Sequence, residues 1–134
     1  MIGTLLRRLS PMLVAIGLIT TVSAPADAAE LLMFESDDCV WCETWNEEIG
    51  PIYPKTTEGR RAPLRRVDIH GTRPDDLRDI QGVRFTPTFV LTDDHGREVG
   101  RINGYPGEDF FWGLLSELIA KLPNEAENDP LTSI

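Results

Sequence analysis

A short apolar run at residues 31–34 is the first clear element of the chain. It reads Leu-Leu-Met-Phe and stands directly before the polar turn Ser36-Asp37-Asp38. An apolar run of this length beside a turn is typical of a strand buried on both faces of a sheet. We therefore predict a first central strand that ends near residue 35.

Helical periodicity follows the turn. Apolar residues recur at i, i+4, i+7 and i+8, at Trp45, Ile49, Ile52 and Tyr53. With N-cap-type residues at 36–38, this pattern predicts a helix that starts near Cys39. Pro51 should kink or end the helix, because proline lacks the backbone N–H and clashes with the preceding turn. Residues 56–62 are predicted to form a loop.

The remaining elements are shorter, apart from the last. Residues 64–69 predict a second strand, and Pro74 with two aspartates predicts a short helix to about Ile80. Residues 88–91 and 98–102 surround the turn Asp93-Asp94-His95-Gly96 and predict a hairpin. Apolar residues between 110 and 122 recur with helical period, and Pro123 ends that helix. The order β-α-β-α-β-β-α predicts one domain over 29–123, of the α/β class with a mixed sheet flanked by helices.

The two ends of the chain differ from this pattern. Residues 1–28 contain a basic start, an apolar run of about a dozen residues and a small-residue stretch that ends Ala26-Asp27-Ala28. That order predicts a cleavable signal peptide, with a retained membrane anchor as the alternative. The simplest destination is a bacterial periplasm. Residues 124–134 are predicted to be a disordered tail.

Charge and cysteine content exclude several classes of function. The chain of 134 residues carries 22 acidic and 13 basic side chains, a formal net charge of −9, and shows no basic patch. Its field therefore repels polyanions, which excludes nucleic acid as a partner. Two cysteines are too few for a disulfide-stapled scaffold or a four-cysteine zinc site.

The two cysteines form the motif Cys39-Val40-Trp41-Cys42 after a buried strand and at a helix start. On a first helical turn the two sulfurs can approach to disulfide distance, and unpaired N–H groups stabilise a thiolate on the first. We predict that Cys39 is the exposed nucleophile and Cys42 the more buried resolving thiol. Half of a zinc site and an inert structural disulfide have the same spacing and stay as alternatives.

The strand, the cysteine motif and the helix, followed by Val83-Arg84-Phe85-Thr86-Pro87-Thr88-Phe89 and a hairpin, resemble the thioredoxin superfamily. The resemblance covers about residues 30–122 and implies a minimal thioredoxin fold. It implies that Pro87 is cis and lies with Thr86 against the cysteine pair. It also places Gly104 near the pair, where a partner backbone could approach. Trp41, between the cysteines, is predicted to be an exposed docking contact.

The chain departs from thioredoxin in the acid that helps to deprotonate the resolving thiol. Six residues before the first cysteine, where thioredoxin buries that acid, stands Met33. Glu35 shares a strand face with Met33 and is a candidate replacement, with a solvated strand-end acid as the alternative. Asp37, Asp38 and Glu43 should oppose a thiolate at Cys39, which argues against a strong oxidant; these acids are otherwise ordinary helix-start residues.

The export signal, the short length and the motif look most like the periplasmic thioredoxins of bacterial sulfur-oxidation (Sox) systems. The resemblance implies a reductant that needs no cofactor beyond its redox-active disulfide and binds no metal. Its partners would be a cysteine-bearing periplasmic client, such as a sulfur-carrier protein, and a membrane thiol electron donor. The alternatives are an oxidase or isomerase of exported proteins and a non-catalytic docking module. A monomer is expected.

Overall fold

The computed structural model describes residues 28–123. The predicted signal peptide, apart from Ala28, and the predicted tail lie outside this range. The described chain contains seven regular elements: β1 (Glu30–Glu35), α1 (Val40–Glu48), α2 (Thr57–Arg61), β2 (Leu64–Asp68), β3 (Thr88–Thr92), β4 (Glu98–Asn103) and α3 (Glu108–Ile119).

The four strands form one mixed sheet in the order β2-β1-β3-β4. β1 pairs in parallel with β2 and antiparallel with β3, and β3 pairs antiparallel with β4. The predicted α/β class and mixed sheet are therefore confirmed. In the β3–β4 hairpin, Asp93 Oδ1 accepts the backbone N–H groups of His95 and Arg97, each at 2.9 Å. This side-chain cap holds the turn closed.

The apolar run of β1 is buried on both faces, as predicted, and separates two cores. Leu31 and Met33 pack into the larger core with α1 and α3, whereas Leu32 and Phe34 face the smaller one. All four side chains are fully buried. Because successive side chains of a strand point to opposite faces, a single run of four supplies both cores. The cysteine loop therefore follows a strand that is buried on both faces of the sheet.

The predicted loop at 56–62 is wrong, because residues 57–61 form α2. Thr56 caps this helix by accepting the N–H of Gly59 at 2.9 Å. A 3₁₀ turn at Tyr53–Lys55 leads into it. The segment has no apolar residues at helical spacing, so its helix depends on the cap and on the packing of Tyr53, which is 1 % exposed.

The short helix predicted from Pro74 to Ile80 is also wrong, since only a 3₁₀ turn at Asp75–Leu77 forms there. Leu77 and Ile80 are both buried in the smaller core. Leu77 ends the 3₁₀ turn, and Ile80 follows three residues later with its N–H donating to the Leu77 carbonyl oxygen at 3.1 Å, so both are buried without a longer helix. Gly82, with φ +71°, then turns the chain away.

A hydrogen bond joins the segment after β4 to the end of α1. The Tyr105 hydroxyl donates to Glu48 Oε2 at 2.5 Å, and burial raises the pKa of Tyr105 above its ordinary value, as does this hydrogen bond to Glu48. The ring of Tyr105 packs edge-on against Phe111 of α3 at 6.0 Å. The contact holds the helix that carries the cysteines against the segment after the hairpin.

Candidate active site

Cys39 and Cys42 form a disulfide at the start of α1, with their Cα atoms 5.2 Å apart. Cys39 is the N-cap of the helix and Cys42 lies in its first turn. This is the placement that the spacing predicts. The site is therefore built by one local element, the junction between the loop after β1 and the helix.

The backbone at the helix start points donors at Cys39. The N–H of Cys42 donates to Cys39 Sγ at 3.1 Å and also approaches the Cys39 carbonyl oxygen at 3.0 Å. Helix N-termini carry a partial positive charge, and such donors stabilise a thiolate more than a thiol. The helix start therefore favours negative charge on the sulfur of Cys39, the first cysteine.

Exposure of the two cysteine residues follows the predicted order but not the predicted degree. Cys39 is 7 % exposed and Cys42 is 2 % exposed, so Cys39 is the more accessible cysteine without being an exposed one. The residues between them are the exposed ones, Val40 at 67 % and Trp41 at 60 %. Because Cys39 caps the helix and Cys42 lies on its core-facing side, the first two residues of the helix, Val40 and Trp41, face solvent.

The Thr86-Pro87 bond is cis, as the resemblance implies. Thr86 Oγ1 lies 3.3 Å from Ser36 Oγ, and the Ser36 carbonyl oxygen accepts the N–H of Cys39 at 3.2 Å. Ser36 therefore connects the cis-proline loop to the first cysteine, because its side chain contacts Thr86 and its carbonyl oxygen binds Cys39. Ser36 and Thr86, which are 50 positions apart in the sequence, thus meet at this site.

Gly104 joins the same arrangement. Its N–H donates to the Pro87 carbonyl oxygen at 2.7 Å, directly beyond the last pair of the hairpin, Thr88 with Asn103. Gly104 has φ +82°, a left-handed conformation that glycine adopts at little cost. The structure thus ties Gly104 to the cis-proline segment.

Phe85 is a surface feature that sequence reasoning missed. It is 67 % exposed and directly precedes Thr86, and its carbonyl oxygen accepts the hydroxyl of Thr88 at 2.7 Å. Val40 and Trp41, the first two residues of α1, are also exposed, and we call these three exposed apolar side chains the apolar rim. The only sequence signal was an aromatic residue next to the Thr-Pro motif. Exposed apolar groups of this kind mark interaction surfaces.

An open cavity of about 350 Å³ lies beside the disulfide, and both cysteines contribute to its wall. Its charged lining consists of four carboxylates and one guanidinium, from Glu35, Asp37, Glu43, Asp68 and Arg66. The cavity beside the disulfide is therefore strongly acidic. Asp38 adds to this charge, because a hydrogen bond from Ser36 holds the pKa of its carboxyl below the usual range.

Arg66 organises one wall of this cavity and was not identified from the sequence. Its guanidinium donates to Glu35 Oε2 at 2.7 Å and to Asn46 Oδ1 at 2.8 Å, and it lies 3.7 Å from Met33 Sδ. Met33 and Glu35 share one face of β1, as predicted. Glu35 is not a free strand-end acid, since it is ion-paired and its side chain is only 24 % exposed.

Two other findings concern the described residues alone. Between residues 28 and 123, no group of three or more His, Cys, Asp or Glu side chains is placed to hold a metal ion. Within the same range, no helix has the length and apolar character needed to cross a membrane.

Comparison with known families decides the class of this site. A family model described as a thioredoxin-like domain matches residues 21–119. The chain belongs to the thioredoxin-like family. Its fold and its cysteine pair make it a thiol-disulfide oxidoreductase. No curated protein sequence matches the chain.

Solved structures show the same relationship. The periplasmic thioredoxin SoxS from Paracoccus pantotrophus, in its reduced form, is 48 % identical with a TM-score of 0.66, over 69 % of this chain and 97 % of that one. Thioredoxin from Malassezia sympodialis is 21 % identical, with a TM-score of 0.51 over 70 % and 77 % of the two chains. Fasciola hepatica thioredoxin is 21 % identical, with a TM-score of 0.52 over 68 % and 81 %. The last two support the fold alone.

Proposed function

We propose that this protein is a periplasmic reductant, which keeps the cysteine of a client protein in its active thiol state. The observation that carries the proposal is the disulfide at the α1 N-terminus, joined to the apolar rim in a chain 48 % identical to a periplasmic thioredoxin. The client class that fits the sequence resemblance is a sulfur-carrier protein of sulfur oxidation. The protein acts as a monomer and uses no cofactor beyond the disulfide itself.

In the proposed mechanism, the reduced enzyme begins with Cys39 as a thiolate. It attacks one sulfur of the client disulfide, the client S–S bond breaks, and the first client sulfur leaves with the electron pair and takes up a proton. Cys42 then loses its proton and attacks Cys39 Sγ. The bond from Cys39 to the client breaks, the second client thiol leaves, and the disulfide seen in the structure remains. The client gains two electrons and two protons.

The oxidised enzyme must be reduced again for the next turnover. A dithiol of a membrane thiol donor supplies the two electrons by the reverse exchange at Cys39. Because Cys42 is 2 % exposed and Cys39 is 7 % exposed, both partners are expected to meet the same sulfur. One docking surface therefore serves the client and the donor in turn.

We assign docking to Trp41, Thr86, Pro87 and Gly104, and we add Phe85. The apolar rim gives a partner an area to cover, and the Ser36–Thr86 contact holds the cis-proline loop beside Cys39. Exposed aromatic side chains are the residues that most often dominate binding energy in protein interfaces. The rim therefore selects partners that present apolar groups beside their reactive sulfur.

The acidic surroundings support a reductant over an oxidase. Asp37 and Glu43 line the cavity beside the cysteines, and like charges disfavour a thiolate at Cys39. Strong oxidants of this chemistry depend on a greatly stabilised reduced form, which these charges oppose. The direction of electron flow is thus set by a balance between the helix terminus and the carboxylates.

The reduction potential of the Cys39–Cys42 pair tests this proposal. The protein is equilibrated with thiol-disulfide buffers of defined potential, and the fraction of disulfide is measured by trapping free thiols. We expect a value near or below about −230 mV, in the range of thioredoxin-like reductants. A value of about −120 to −180 mV would instead identify an oxidase or isomerase, and the sulfur-carrier client would be abandoned.

The contribution of the apolar rim is tested by Trp41→Ala. With insulin as a protein disulfide substrate, we expect kcat/KM to fall about fivefold or more, the loss that follows from removing about 1 kcal/mol of interface energy. The reaction with a small aromatic disulfide should change by less than about twofold, since that substrate needs no rim. Phe110→Ala is the matched control, because Phe110 is an aromatic residue of α3 that is 71 % exposed. Equal losses in both variants would contradict docking at Trp41.

A further inference from the structure

We propose that the acidic cavity beside the disulfide selects clients that carry a positively charged side chain next to their reactive sulfur. This inference rests on the reductant function proposed above and names the chemistry of its client. Both cysteines contribute to the wall of the cavity, so a partner whose sulfur meets Cys39 also covers this space. The charged side chains on the wall therefore face the residues that flank the client sulfur.

Two of the four carboxylates that line the cavity already have partners in the protein. Glu35 Oε2 lies 2.7 Å from the guanidinium of Arg66, the cation of the lining, and Asp68 Oδ1 accepts a backbone N–H at 2.9 Å. Asp37 and Glu43 are exposed. Within the part of the chain that the structure describes, neither of their carboxylates has a hydrogen-bonding or ion-pair partner. A counter-charge for these two side chains must come from outside the protein.

Asp37 and Glu43 flank the cysteine motif on both sides. Asp37 stands two residues before Cys39, and Glu43 directly follows Cys42 in the first turn of α1. The first two residues of α1, which lie between the cysteines, are exposed and apolar. A partner that covers the disulfide therefore meets apolar side chains at the start of the helix and carboxylates in the cavity.

Covering the cavity changes the energy of its carboxylates. A docked client displaces water from them, and a carboxylate that loses water without gaining a counter-charge is destabilised. An ammonium or guanidinium group of the client supplies that counter-charge, whereas an acidic group beside the client sulfur adds repulsion. The cavity therefore discriminates between clients by the charge beside their reactive sulfur.

The same counter-charge acts on the nucleophile. The carboxylates around Cys39 disfavour its thiolate in the free enzyme. A cation placed in the cavity offsets this effect, so Cys39 is more reactive towards a basic client than towards a neutral or acidic one. The exchange itself is the one described above, in which the client gains two electrons and two protons, and no further reactant is required.

Three small disulfides of similar length test the proposal. At neutral pH cystamine carries two ammonium groups, 2-hydroxyethyl disulfide is neutral, and 3,3′-dithiodipropionate carries two carboxylates. The reduced protein is mixed with an excess of each, and acid quenching followed by trapping of the remaining thiols gives the rate constant. The quantity compared is the ratio of the rate constant for cystamine to that for dithiodipropionate. The thiolate fraction of the free enzyme enters both constants equally, so the ratio reports selection by charge.

The double variant Asp37→Asn with Glu43→Gln should lower this ratio about fivefold or more at low salt, because each removed charge both weakens an attraction and relieves a repulsion. Its reaction with the neutral disulfide should not slow, since two charges that oppose the thiolate are gone, and this reaction also shows that the variant is folded. At about 0.5 M salt the ratios of variant and wild type should agree within about twofold, because the screening length is then only about 4 Å.

Asp79→Asn with Glu117→Gln is the matched control. These two side chains are exposed and do not line the cavity, and their replacement changes the net charge of the protein by the same amount. The ratio should stay within about twofold of the wild type, because charges away from the site are screened.

Two results would overturn the proposal. An unchanged ratio in the cavity variant would show that Asp37 and Glu43 do not select the client, and an equal fall in the control variant would assign the effect to net charge. A failure of the proposed function looks different. The reduced wild type would then not reduce even the neutral disulfide, or its reduction potential would lie in the range of oxidases.

Discussion

Replacing Cys42 with Ser is expected to convert the enzyme into a trap that stays covalently attached to its client through Cys39. The nucleophile remains, but no thiol is left to attack Cys39 Sγ, so the exchange stops after its first step. Turnover of a protein disulfide should fall by at least about a thousandfold, since the hydroxyl of serine cannot replace a thiolate in this exchange. The adduct is measured as a band on non-reducing electrophoresis that a reductant dissolves.

Cys39→Ser provides the control for this trap. It should lose turnover to the same extent and form no adduct, because Cys42 is 2 % exposed and cannot reach the client. An adduct in Cys39→Ser but not in Cys42→Ser would reverse the assigned order of the cysteines. Unchanged function of both variants in the cell would favour the alternative of a non-catalytic docking module with an inert disulfide.

Gly59→Ala is expected to cause the largest loss of stability among single-methyl additions at the described glycines. An alanine Cβ at this position would lie 2.7 Å from the carbonyl carbon of Tyr53 and closer still to its oxygen. That backbone cannot easily retreat, because the Tyr53 side chain is buried and its hydroxyl donates to the Ala62 carbonyl oxygen at 2.7 Å. We expect a loss of about 2–3 kcal/mol in the free energy of unfolding, measured in urea.

Gly113→Ala is the matched control for this change. Gly113 lies inside α3, and a Cβ there would meet nothing within 4 Å. Alanine is the better helix former, so this variant should gain up to about 1 kcal/mol. Opposite signs for two glycine-to-alanine changes in helices would show that the contact with Tyr53 decides the effect at Gly59. A stabilised Gly59→Ala would mean that α2 is not packed on Tyr53 as described.

The cysteine pair and its helix could be predicted because their geometry is local. A spacing of three on a first helical turn places the sulfurs together whatever the rest of the chain does. The cis bond before Pro87 came from a family motif instead, since nothing in the local residues distinguishes it from a trans bond that starts β3. Gly104 was placed near the pair by the same resemblance, and its hydrogen bond to the Pro87 carbonyl oxygen supports that placement.

The errors have a common cause in packing. α2 has a capping threonine but no apolar period, and its helix is held by the contact of Gly59 with Tyr53. The segment after Pro74 has helix-start residues, yet only one 3₁₀ turn forms there, and Leu77 and Ile80 are buried in the smaller core without a longer helix. In both places local signals favour one structure, and contacts between distant segments select another.

The sequence alone determined the class of this protein, through the apolar run of a buried strand, the two-cysteine motif and the helix that follows. These features could be predicted because each depends on residues that are neighbours in the chain. Only the tertiary structure could decide what surrounds the sulfurs. Arg66 stands opposite Met33 because β1 and β2 pair in parallel in one register, which brings its guanidinium to Glu35. Phe85 stands on the cis-proline loop, which the contact between Thr86 and Ser36 holds beside the cysteine loop. Strand register and loop docking are set by the burial of both cores together, and no single stretch of sequence contains that information.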